Sequence, residues 1–588
     1  MKKRRILATA LSTLMLVASM GGMTACGGGG GSGNGPDNGN NKYVYNVPGA
    51  NKLTIKIKNF GGGPGNVWLE EAAERFAQLK QNEQYGDKTG VYITYEPTYN
   101  QNTTSMKGDS TSIFFDERAS DPSTLSQNGL LLNLDSIVKD ETREGGSLES
   151  KIFESAKDGI KKDGSYYALP HYEYYTGLSY NRTTFEDLAA YFAAEDEDNV
   201  YAYSSKYGKA NFVGDMTAKK SVGPDGESGT ADDGLPCSLD EFILLCDYIK
   251  TESDGEIAPL TVSGLHYKYV EYILIGFWSS LAGTEQMRNY YNCTGEIEVV
   301  ERDEKGDLQF TDENLFQGIN YIKKPKTKWV TMAEDGSEGW MGNDMAAKYY
   351  ATAIYEIIVK EGFFSATAKS GKDHWTTQMD LFMEGKMDTN NSAMLVEGSY
   401  WYNEANENGG LSYYETFVGK NRSELDVQWM SLPTNVFAEG ATGKDACFLD
   451  CGQSYAMING NVESNPALKQ ACLDFIKFCY SEAELSAFTA KTGLARAISY
   501  ELDATQKAGM SKFTRGLWEE RDNVAGANVV ALSGTTATFK KARNTIKLSL
   551  DAGVLSDGYN KFWMVIENKG AKQVFSDCSL FGSWSYAN

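Results

Sequence analysis

Residues 52–95 carry the pattern that most limits how this 588-residue chain can fold. Residues 52–58 alternate polar and apolar side chains, which predicts a strand, and the glycine-rich stretch 61–65 ends it. Apolar residues then recur at spacings of four, four and three, as on one face of a helix: Trp68, Ala72, Phe76 and Leu79. Residues 91–95 predict the next strand. A strand, a turn, a helix and a strand in succession predict a parallel βαβ unit.

Strand and helix patterns continue to alternate after residue 95, which predicts the α/β class. Further strands are predicted at 112–115, 392–396 and 454–458, and further helices at 242–249, 269–282, 346–359 and 467–480. The glycines at 61–65 do not form a G-x-G-x-x-G pattern, and no phosphate-loop lysine follows them. This argues against a nucleotide site.

The first 45 residues indicate export. Residues 2–5 are basic and 6–20 are apolar, the layout of a signal peptide whose apolar run is too short to span a bilayer. The segment GGMTAC at 21–26 resembles a bacterial lipobox, in which Cys26 is lipidated, although Met23 stands where leucine is commonest. The alternative is an ordinary signal peptide cleaved near Ala25. We expect a signal peptide over 1–25 and a lipidated Cys26 with a flexible tether over 26–45, which places the protein at the extracellular face of the cell membrane.

The charge excludes one class of partner. The chain has 79 acidic and 56 basic residues, a net charge of −23. Loss of residues 1–25 would remove four of the basic residues and no acidic one, which would make the net charge −27. Nucleic-acid binding needs a basic face for the phosphates, so no nucleic-acid partner is expected. The nine cysteines show neither C-x-x-C pairs nor the Cys/His spacing of zinc sites, and their disulfide pairing stays open.

Five segments, taken in chain order, resemble a known family. They are KLTIKIKNFGGGPGNVWLEEAAERFAQL at 52–79, TSIFFDERASDPSTLSQNGLLLNLD at 111–135, YALPHYEYYTGLSYNRTTFED at 167–187, FMEGKMDTNNSAMLVEGSYW at 382–401 and SYAMINGNVESNPALKQACLDFIKFCYSEAELSAFTAKTG at 454–493. Together they resemble the extracellular solute-binding lipoproteins of bacterial ABC importers, in the carbohydrate group that includes maltose-binding proteins (family 1).

The resemblance implies a two-lobe, periplasmic-binding-protein-like fold of type II, with hinge strands and a ligand cleft between the lobes. It implies crossings near Leu169, Asp450 and Tyr500. Lobe 1 would comprise 46–168 and 450–500, and lobe 2 would comprise 169–449 and 501–588 with insertions at about 190–240 and 285–345. Such a protein would be a monomer and not an enzyme. It would capture a mono- or oligosaccharide and deliver it to the membrane subunits of an ABC permease.

Sugar recognition needs flat aromatic faces and polar groups that pair with hydroxyls. The candidate ligand-binding residues are Asp116, Glu117, Tyr172, Glu173, Trp278, Trp401 and Arg496. Trp401 follows a Gly-Ser-Tyr turn where the family places a stacking tryptophan, and Tyr172 and Glu173 follow Pro170 at the expected hinge.

Each candidate also has a structural interpretation. Asp116 and Glu117 end a strand, where an acid can equally cap a helix or a turn. Trp278 lies in the apolar run YILIGFWSS and Trp401 could likewise be a core aromatic, while Arg496 could form a structural ion pair.

An acidic loop, GPDGESGTADDG at 223–234, forms a second candidate site. Its carboxylates, on Asp225, Glu227, Asp232 and Asp233, repel one another unless they are solvated or neutralised. The loop resembles the GPDG–GT–DDG calcium loops of exported bacterial proteins, so a structural Ca²⁺ is one expectation. A solvated acidic loop is the other, and no catalytic cofactor is expected.

Two other functions stay open at this stage. An exported glycoside hydrolase would need two carboxylates flanking the scissile bond, for which Glu173 and Glu397 are conceivable. A surface glycan-binding protein is the second, although the α/β pattern speaks against the β-rich architecture typical of adhesins.

Overall fold

Two main sheets organise the chain in the computed structural model. The structure describes residues 43–98, 101–117, 121–143, 145–194, 201–214, 219–265, 267–292, 294–332, 344–370, 375–384, 391–407, 410–444, 447–450, 454–523, 529–531 and 562–580. Everything reported below belongs to the unit Tyr45–Asn588. The predicted lipidation site, Cys26, lies outside the described residues.

Nine strands build the two sheets. They are β1 (Leu53–Asn59), β2 (Val91–Pro97), β3 (Ile113–Asp116), β4 (Leu169–Pro170), β5 (Thr176–Asn181), β6 (Ile257–Thr261), β7 (Asn391–Gly398), β8 (Val427–Met430) and β9 (Tyr455–Ile458). The first sheet has the order β2-β1-β3-β9-β4 and the second the order β6-β7-β5-β8. In the first sheet β1 runs parallel to β2 and β3, whereas β9 is antiparallel to β3 and β4. The predicted parallel βαβ unit is therefore confirmed.

Ten helices are used below or pack around these sheets. They are α1 (Val67–Leu79), α2 (Leu239–Glu252), α3 (Tyr267–Asn292), α4 (Ala346–Lys360), α5 (Trp375–Glu384), α6 (Trp401–Glu407), α7 (Pro466–Cys479), α8 (Glu482–Thr492), α9 (Lys512–Asn523) and α10 (Phe562–Leu580). Helix α3 is interrupted at Gly283, whose φ of 73° is not helical.

Short elements complete the described chain. Short helices span Thr103–Met106, Pro122–Gln127, Asp135–Val138, Leu148–Lys151, Glu154–Ile160, Arg182–Asp187, Ala366–Ser370, Gly410–Tyr413, Tyr414–Val418, Arg422–Glu424, Gly460–Ser464 and Ala504–Gly509. Small two-stranded pairs join Gln84–Tyr85 to Lys88–Thr89, Lys161–Lys162 to Ser165–Tyr166, Tyr191–Phe192 to Phe212–Val213, Tyr203–Ser205 to Gly208–Ala210, Glu296–Val300 to Thr327–Thr331, Phe310–Asn314 to Lys323–Pro325, and Phe448–Asp450 to Val529–Ala531. Four of these pairs lie in the predicted insertions, outside the two main sheets.

Helix α1 shows how the apolar spacing maps onto the core. Trp68, Ala72 and Phe76 are buried as the spacing predicts. Leu79, the fourth residue of the predicted face, is 64% exposed. The helix ends at this residue, so the side chain is carried past the edge of the core instead of into it. The predicted face was therefore right at its first three positions and wrong at its last.

Each sheet has its own hydrophobic core. One cluster of buried side chains surrounds the first sheet, and a second, larger cluster surrounds the second sheet and includes side chains of α10. A smaller third cluster joins Tyr175, Trp401, Trp429, Phe448 and Phe513. The chain thus has the predicted α/β, two-lobe organisation, while the residue boundaries of the lobes stay a prediction.

Three chain segments meet between the sheets. The Glu173 N–H donates to the Ala495 carbonyl at 2.9 Å, and the Tyr174 N–H donates to Asp450 Oδ1 at 3.2 Å. The Tyr175 carbonyl accepts from the Ser399 N–H at 2.8 Å. Segment 171–175 is therefore hydrogen-bonded to the segments at Ala495 and Asp450 and also to the turn at Ser399. Among the described residues, no helix is both long and apolar enough to span a bilayer.

Candidate functional site

The candidate site lies where the loop after β1 meets the start of α6. We call it the interlobe site and define it by Gly62, Gly63, Glu117, Tyr172, Tyr174, Tyr269, Tyr272, Glu397, Tyr400, Asn403 and Glu404. The loop after β1, Glu117 after β3 and the tyrosines after β4 come from the first-sheet side. Helix α3, β7, the turn at 399–400 and α6 supply the others from the second-sheet side.

The glycine-rich loop makes the direct contact across the site. Asn403 Nδ2 donates to the Gly63 carbonyl at 2.5 Å. A Cβ at residue 62 would lie 3.2 Å from Glu404 Oε1, and one at residue 63 would lie 3.2 Å from the Tyr172 hydroxyl. Gly63 also has a φ of +22°, which L-residues rarely adopt. Gly62 and Gly63, which belong to no phosphate-binding motif, thus allow the backbone of this loop to lie close to the side chains of α6.

Five tyrosines line the site as a connected group. The Tyr174 and Tyr400 rings meet edge to face with centroids 5.4 Å apart, and the Tyr172 ring lies 6.3 Å from that of Tyr174. The Tyr272 and Tyr400 hydroxyls are 3.2 Å apart, and Tyr269 lies 5.3 Å from the Tyr272 ring. Such faces and hydroxyls suit a ligand with both apolar ring surfaces and polar edges.

Three carboxylates accompany the tyrosines. Tyr172 donates its hydroxyl hydrogen to Glu117 Oε2, and both residues are buried. Burial, reinforced by the charge of Glu117, raises the pKa of Glu404 to about 7. Glu397 is buried on β7, and that burial raises its pKa well above the usual value. Among the residues that the structure describes, other carboxylates act on Glu397 and Glu404, whereas no lysine or arginine does.

Of the predicted residues, Glu117 and Tyr172 lie in the interlobe site, and Asp116 lies just behind it. The Asp116 side chain is fully buried, and its Oδ2 accepts from the Gln101 N–H at 2.6 Å. It therefore holds the turn at residue 101 in place at the end of β3, which fits the structural interpretation of an acid at a strand end.

Glu173 is turned toward helix α9. Its Oε2 accepts from the Tyr175 hydroxyl at 2.9 Å and lies 3.3 Å from Arg521 Nη2, and both members of this ion pair are buried. Burial alone would lower the pKa of the Arg521 guanidinium. The negative charge of Glu173 has the opposite effect, and with its other partners it raises this pKa above the usual value. Arg521 also donates to the Arg496 carbonyl at 3.0 Å, so the pair ties α9 to two of the three segments between the sheets.

The two predicted tryptophans are core residues in this structure. Trp401 is 0% exposed, donates from Nε1 to Ser179 Oγ at 2.8 Å and packs edge-on against Phe513. Its neighbour Tyr400 is the aromatic that lines the site instead. Trp278 is 2% exposed and packs against Tyr290 with ring centroids 5.5 Å apart. Both placements favour the core interpretation over a stacking platform.

Arg496 lies inside the first core. Its guanidinium carbon is 4.3 Å from the Phe488 ring centre and 4.4 Å from that of Tyr480, and the side chain is fully buried. It is held by aromatic faces, and none of the described residues forms the alternative structural ion pair with it. His171 lies nearby, and burial together with the charge of Arg496 lowers its pKa well below the usual value.

The acidic loop 223–234 is braced by its own backbone and hydroxyl groups. Asp232 accepts from the Asp225 N–H at 3.0 Å and from the Thr230 hydroxyl at 2.7 Å, while Asp233 accepts from the Gly229 N–H at 2.8 Å. Glu227 is exposed. Burial, with the charge of Asp225, raises the pKa of Asp232 to about 6. Within the described ranges, no group of three or more His, Cys, Asp or Glu side chains is arranged to hold a metal ion, so calcium stays a prediction.

Sequence reasoning missed Tyr400, Asn403 and Glu404. The signal that could have found them is the glycine-rich loop after β1, because four glycines in five residues leave room for a neighbour to touch the backbone. The sequence cannot say which segment supplies that neighbour. The contact arises because the turn at 399–400 starts α6 directly opposite the loop.

No protein-family model matches the sequence, and no curated protein matches it. Solved structures do match over most of the chain. A chitin oligosaccharide binding protein is 14% identical with a TM-score of 0.50, covering 91% of this chain and 99% of its own. The solute-binding protein RafE in complex with raffinose is 11% identical with a TM-score of 0.50, covering 90% and 99%. The apo form of RafE from Streptococcus pneumoniae is 11% identical with a TM-score of 0.50, and the match covers 91% of this chain and 99% of RafE. The chain therefore has the α/β, two-lobe fold of periplasmic-type solute-binding proteins.

Proposed function

We propose that this protein is the substrate-binding component of a bacterial ABC importer and captures a carbohydrate between its lobes. The observation that carries the proposal is the interlobe site itself. Tyrosine faces, hydroxyls and carboxylates from both sheets converge there, and Asn403 bridges to the Gly63 backbone. The shared fold with proteins described as binding chitin oligosaccharide and raffinose supports the carbohydrate class.

The geometry suggests how ligand and closure are coupled. A sugar ring placed against Tyr400 and Tyr174 would bury its C–H faces, and its hydroxyls would donate to carboxylates such as Glu117. Because Gly63 and Asn403 belong to opposite sides, their hydrogen bond forms only when the lobes approach. A ligand that contacts both sides stabilises that closed state by the difference between its contacts in the two states.

Delivery to a permease and membrane attachment are part of the same proposal. The lipobox-like segment ending at Cys26, followed by a glycine-rich stretch, supports a lipid anchor on the extracellular face with a tether that lets the lobes reach a membrane partner. The closed state would be the form that the permease subunits recognise.

Binding fits the carboxylates better than hydrolysis does. A glycosidase needs one carboxyl group as a proton donor and a second as a base or nucleophile across the scissile bond. Glu173 is engaged by Arg521 and Tyr175, and Glu397 is buried on β7. Glu173, one of the two carboxylates considered for hydrolysis, is therefore already paired, which leaves Glu397 without the second carboxylate that hydrolysis would need.

Isothermal titration of the folded chain against neutral, amino and acidic glycans tests the proposal. We expect at least one glycan to bind with a Kd in the micromolar range or tighter and to leave the glycan uncleaved. Tyr400→Ala should weaken that binding about tenfold or more. Trp329→Ala, which removes a 57% exposed side chain from a two-stranded pair outside the site, is the matched control. Binding of a peptide but of no glycan, or release of cleavage products, would reject the proposal.

A further inference from the structure

A small cavity in the first core lies against the buried side chain of Arg496. Its walls are formed by α1, the end of α7 and α8, and Trp68 of α1 lines it together with Arg496. The cavity encloses about 250 Å³ of space between atoms, part of it open to solvent, and has room inside for little more than one water-sized guest. None of its lining residues belongs to the interlobe site.

The charged side chains that line this cavity do not cancel. There are three cations and two carboxylates, on Arg75, Lys491, Arg496, Glu71 and Glu484. Arg75 Nε lies 2.7 Å from Glu484 Oε1, and both carboxylate oxygens of Glu484 accept from the guanidinium. Lys491 Nζ lies 3.0 Å from Glu71 Oε1. Among the residues that the structure describes, Arg496 is therefore the one lining cation without a carboxylate partner.

The same cavity gathers hydrogen-bond donors. Arg496 is 0% exposed, and the rings of Phe488 and Tyr480 lie 4.3 and 4.4 Å from its guanidinium carbon. Within the described ranges, Nε and Nη1 of Arg496 and Nε1 of Trp68 are buried with no hydrogen-bond partner in the protein. The guanidinium carbon is 5.5 Å from the centre of the Trp68 ring, so these N–H groups are neighbours. Buried donors are costly unless they are satisfied, so three of them around one cavity indicate a bound acceptor.

The chemistry of these donors favours an anion over a water molecule. Guanidinium and indole N–H groups donate and cannot accept, whereas a water needs acceptors for its own two hydrogens. The two carboxylates that line the cavity are already paired. A water would also leave the buried positive charge of Arg496 uncompensated, and an uncompensated buried charge is strongly destabilising. A small anion accepts several hydrogen bonds at once and neutralises that charge.

We propose that the cavity beside Arg496 binds a single small anion, such as chloride, through the N–H groups of Arg496 and Trp68. The site is separate from the interlobe site and does not depend on the proposed function. The Arg496 carbonyl accepts from Arg521, and the adjacent Ala495 carbonyl accepts from the Glu173 N–H. A bound anion would therefore stabilise one of the segments that meet between the two sheets.

Thermal unfolding of the folded chain tests the site when chloride replaces gluconate, an anion too large for the cavity, at constant ionic strength. We expect about 200 mM chloride to raise the Tm by about 2 °C, because an anion that binds only the folded state stabilises it. Bromide should act like chloride. Crystals grown with bromide should show an anomalous scattering peak at hydrogen-bonding distance from Arg496 and Trp68.

Two variants assign the effect to the cavity. Trp68→Phe keeps the aromatic ring and removes one N–H, so it should raise the chloride concentration for a half-maximal effect about fivefold or more. Arg496→Met removes the charge and should abolish the chloride response. Arg302→Met is the matched control, because it removes a guanidinium whose Nε lies 2.6 Å from Asp344 Oδ2, far from the cavity lining. Its Tm should fall but keep the wild-type response to chloride.

The outcomes decide between an anion, a water and a general salt effect. Equal Tm values in chloride and gluconate overturn the proposal, as does a chloride response that Trp68→Phe leaves unchanged. A water in the cavity of the bromide-grown crystals, without an anomalous peak, overturns it too. If Arg496→Met does not fold, the bromide peak and the Trp68→Phe response give the answer by themselves.

Discussion

Carboxylates in one region of this molecule have two different kinds of surroundings. Between the two sheets, Glu173 is paired with Arg521 and accepts from the Tyr175 hydroxyl. In the interlobe site, Glu397 and Glu404 lie among tyrosines with no lysine or arginine partner in the described chain. A matched buried charge holds structure together, whereas an unmatched one is tolerated where a ligand, a proton or solvent can complete it.

Breaking the matched pair should have the largest effect. Arg521→Met removes the guanidinium and leaves Glu173 buried and uncompensated, so we expect a loss of about 3–5 kcal/mol in the free energy of unfolding. Urea unfolding followed by tryptophan fluorescence measures it. Lys512→Met, on the same helix, breaks a largely exposed pair with Asp426 and should cost less than about 1 kcal/mol. Similar losses from the two variants would contradict the structural role assigned to Glu173.

Two neighbouring aromatics sharpen the distinction between core and site. Trp401→Ala empties a fully buried position and loses the hydrogen bond to Ser179, which should cost about 3 kcal/mol of stability. Tyr400→Ala should cost less stability and weaken glycan binding about tenfold, because its ring lines the interlobe site. Unfolding curves and calorimetric titration of both variants give the comparison. Loss of binding in a still-folded Trp401→Phe variant, with Tyr400→Ala binding normally, would reverse these roles.

The unmatched carboxylates predict a pH effect of intermediate size. The pKa of Glu404 is raised from 4.5 to about 7, so its contribution to folding is complete below about pH 4.5 and is lost as the pH rises through about 7. Glu117, Glu397 and the Tyr172 and Tyr400 hydroxyls face it from the surrounding elements.

We therefore expect the ligand-free protein to lose about 2 kcal/mol between pH 5.5 and 8 through this group, and Glu404→Gln to lose less. Unfolding measured at both pH values for wild type, Glu404→Gln and the exposed control Glu439→Gln tests this. If Glu404→Gln and wild type lose the same stability, Glu404 is not the titrating group.

The sequence was informative where periodicity decides structure. The alternation at 52–58 and the apolar spacing of α1 predicted the parallel unit, because both patterns report which side of one element is buried. It was less informative at the site. Whether Tyr400 or Trp401 faces the ligand depends on the direction in which α6 leaves the turn at 399–400, and one residue rotates the side chain by about 100°. The cage around Arg496 likewise joins Trp68 of α1, Phe488 of α8 and Tyr480, which follows α7, and no local pattern connects these residues.

In the acidic loop 223–234 the carboxylates are hydrogen-bonded within the loop itself, and here we expect the smallest effect on stability. Backbone N–H groups and the Thr230 hydroxyl already satisfy Asp232 and Asp233, so a bound Ca²⁺ would replace hydrogen bonds that exist and not unmatched charges alone. If the loop is the calcium site that its sequence predicts, millimolar Ca²⁺ should stabilise the protein by about 1 kcal/mol, seen as a rise in Tm. Asp232→Asn should abolish the rise, and Mg²⁺ should not reproduce it. An unchanged Tm with Ca²⁺ would instead show that the hydrogen bonds within the loop hold it without a metal ion. The pKa of Asp232, raised to about 6 by burial and the charge of Asp225, would then be the remaining consequence of placing these carboxylates close together.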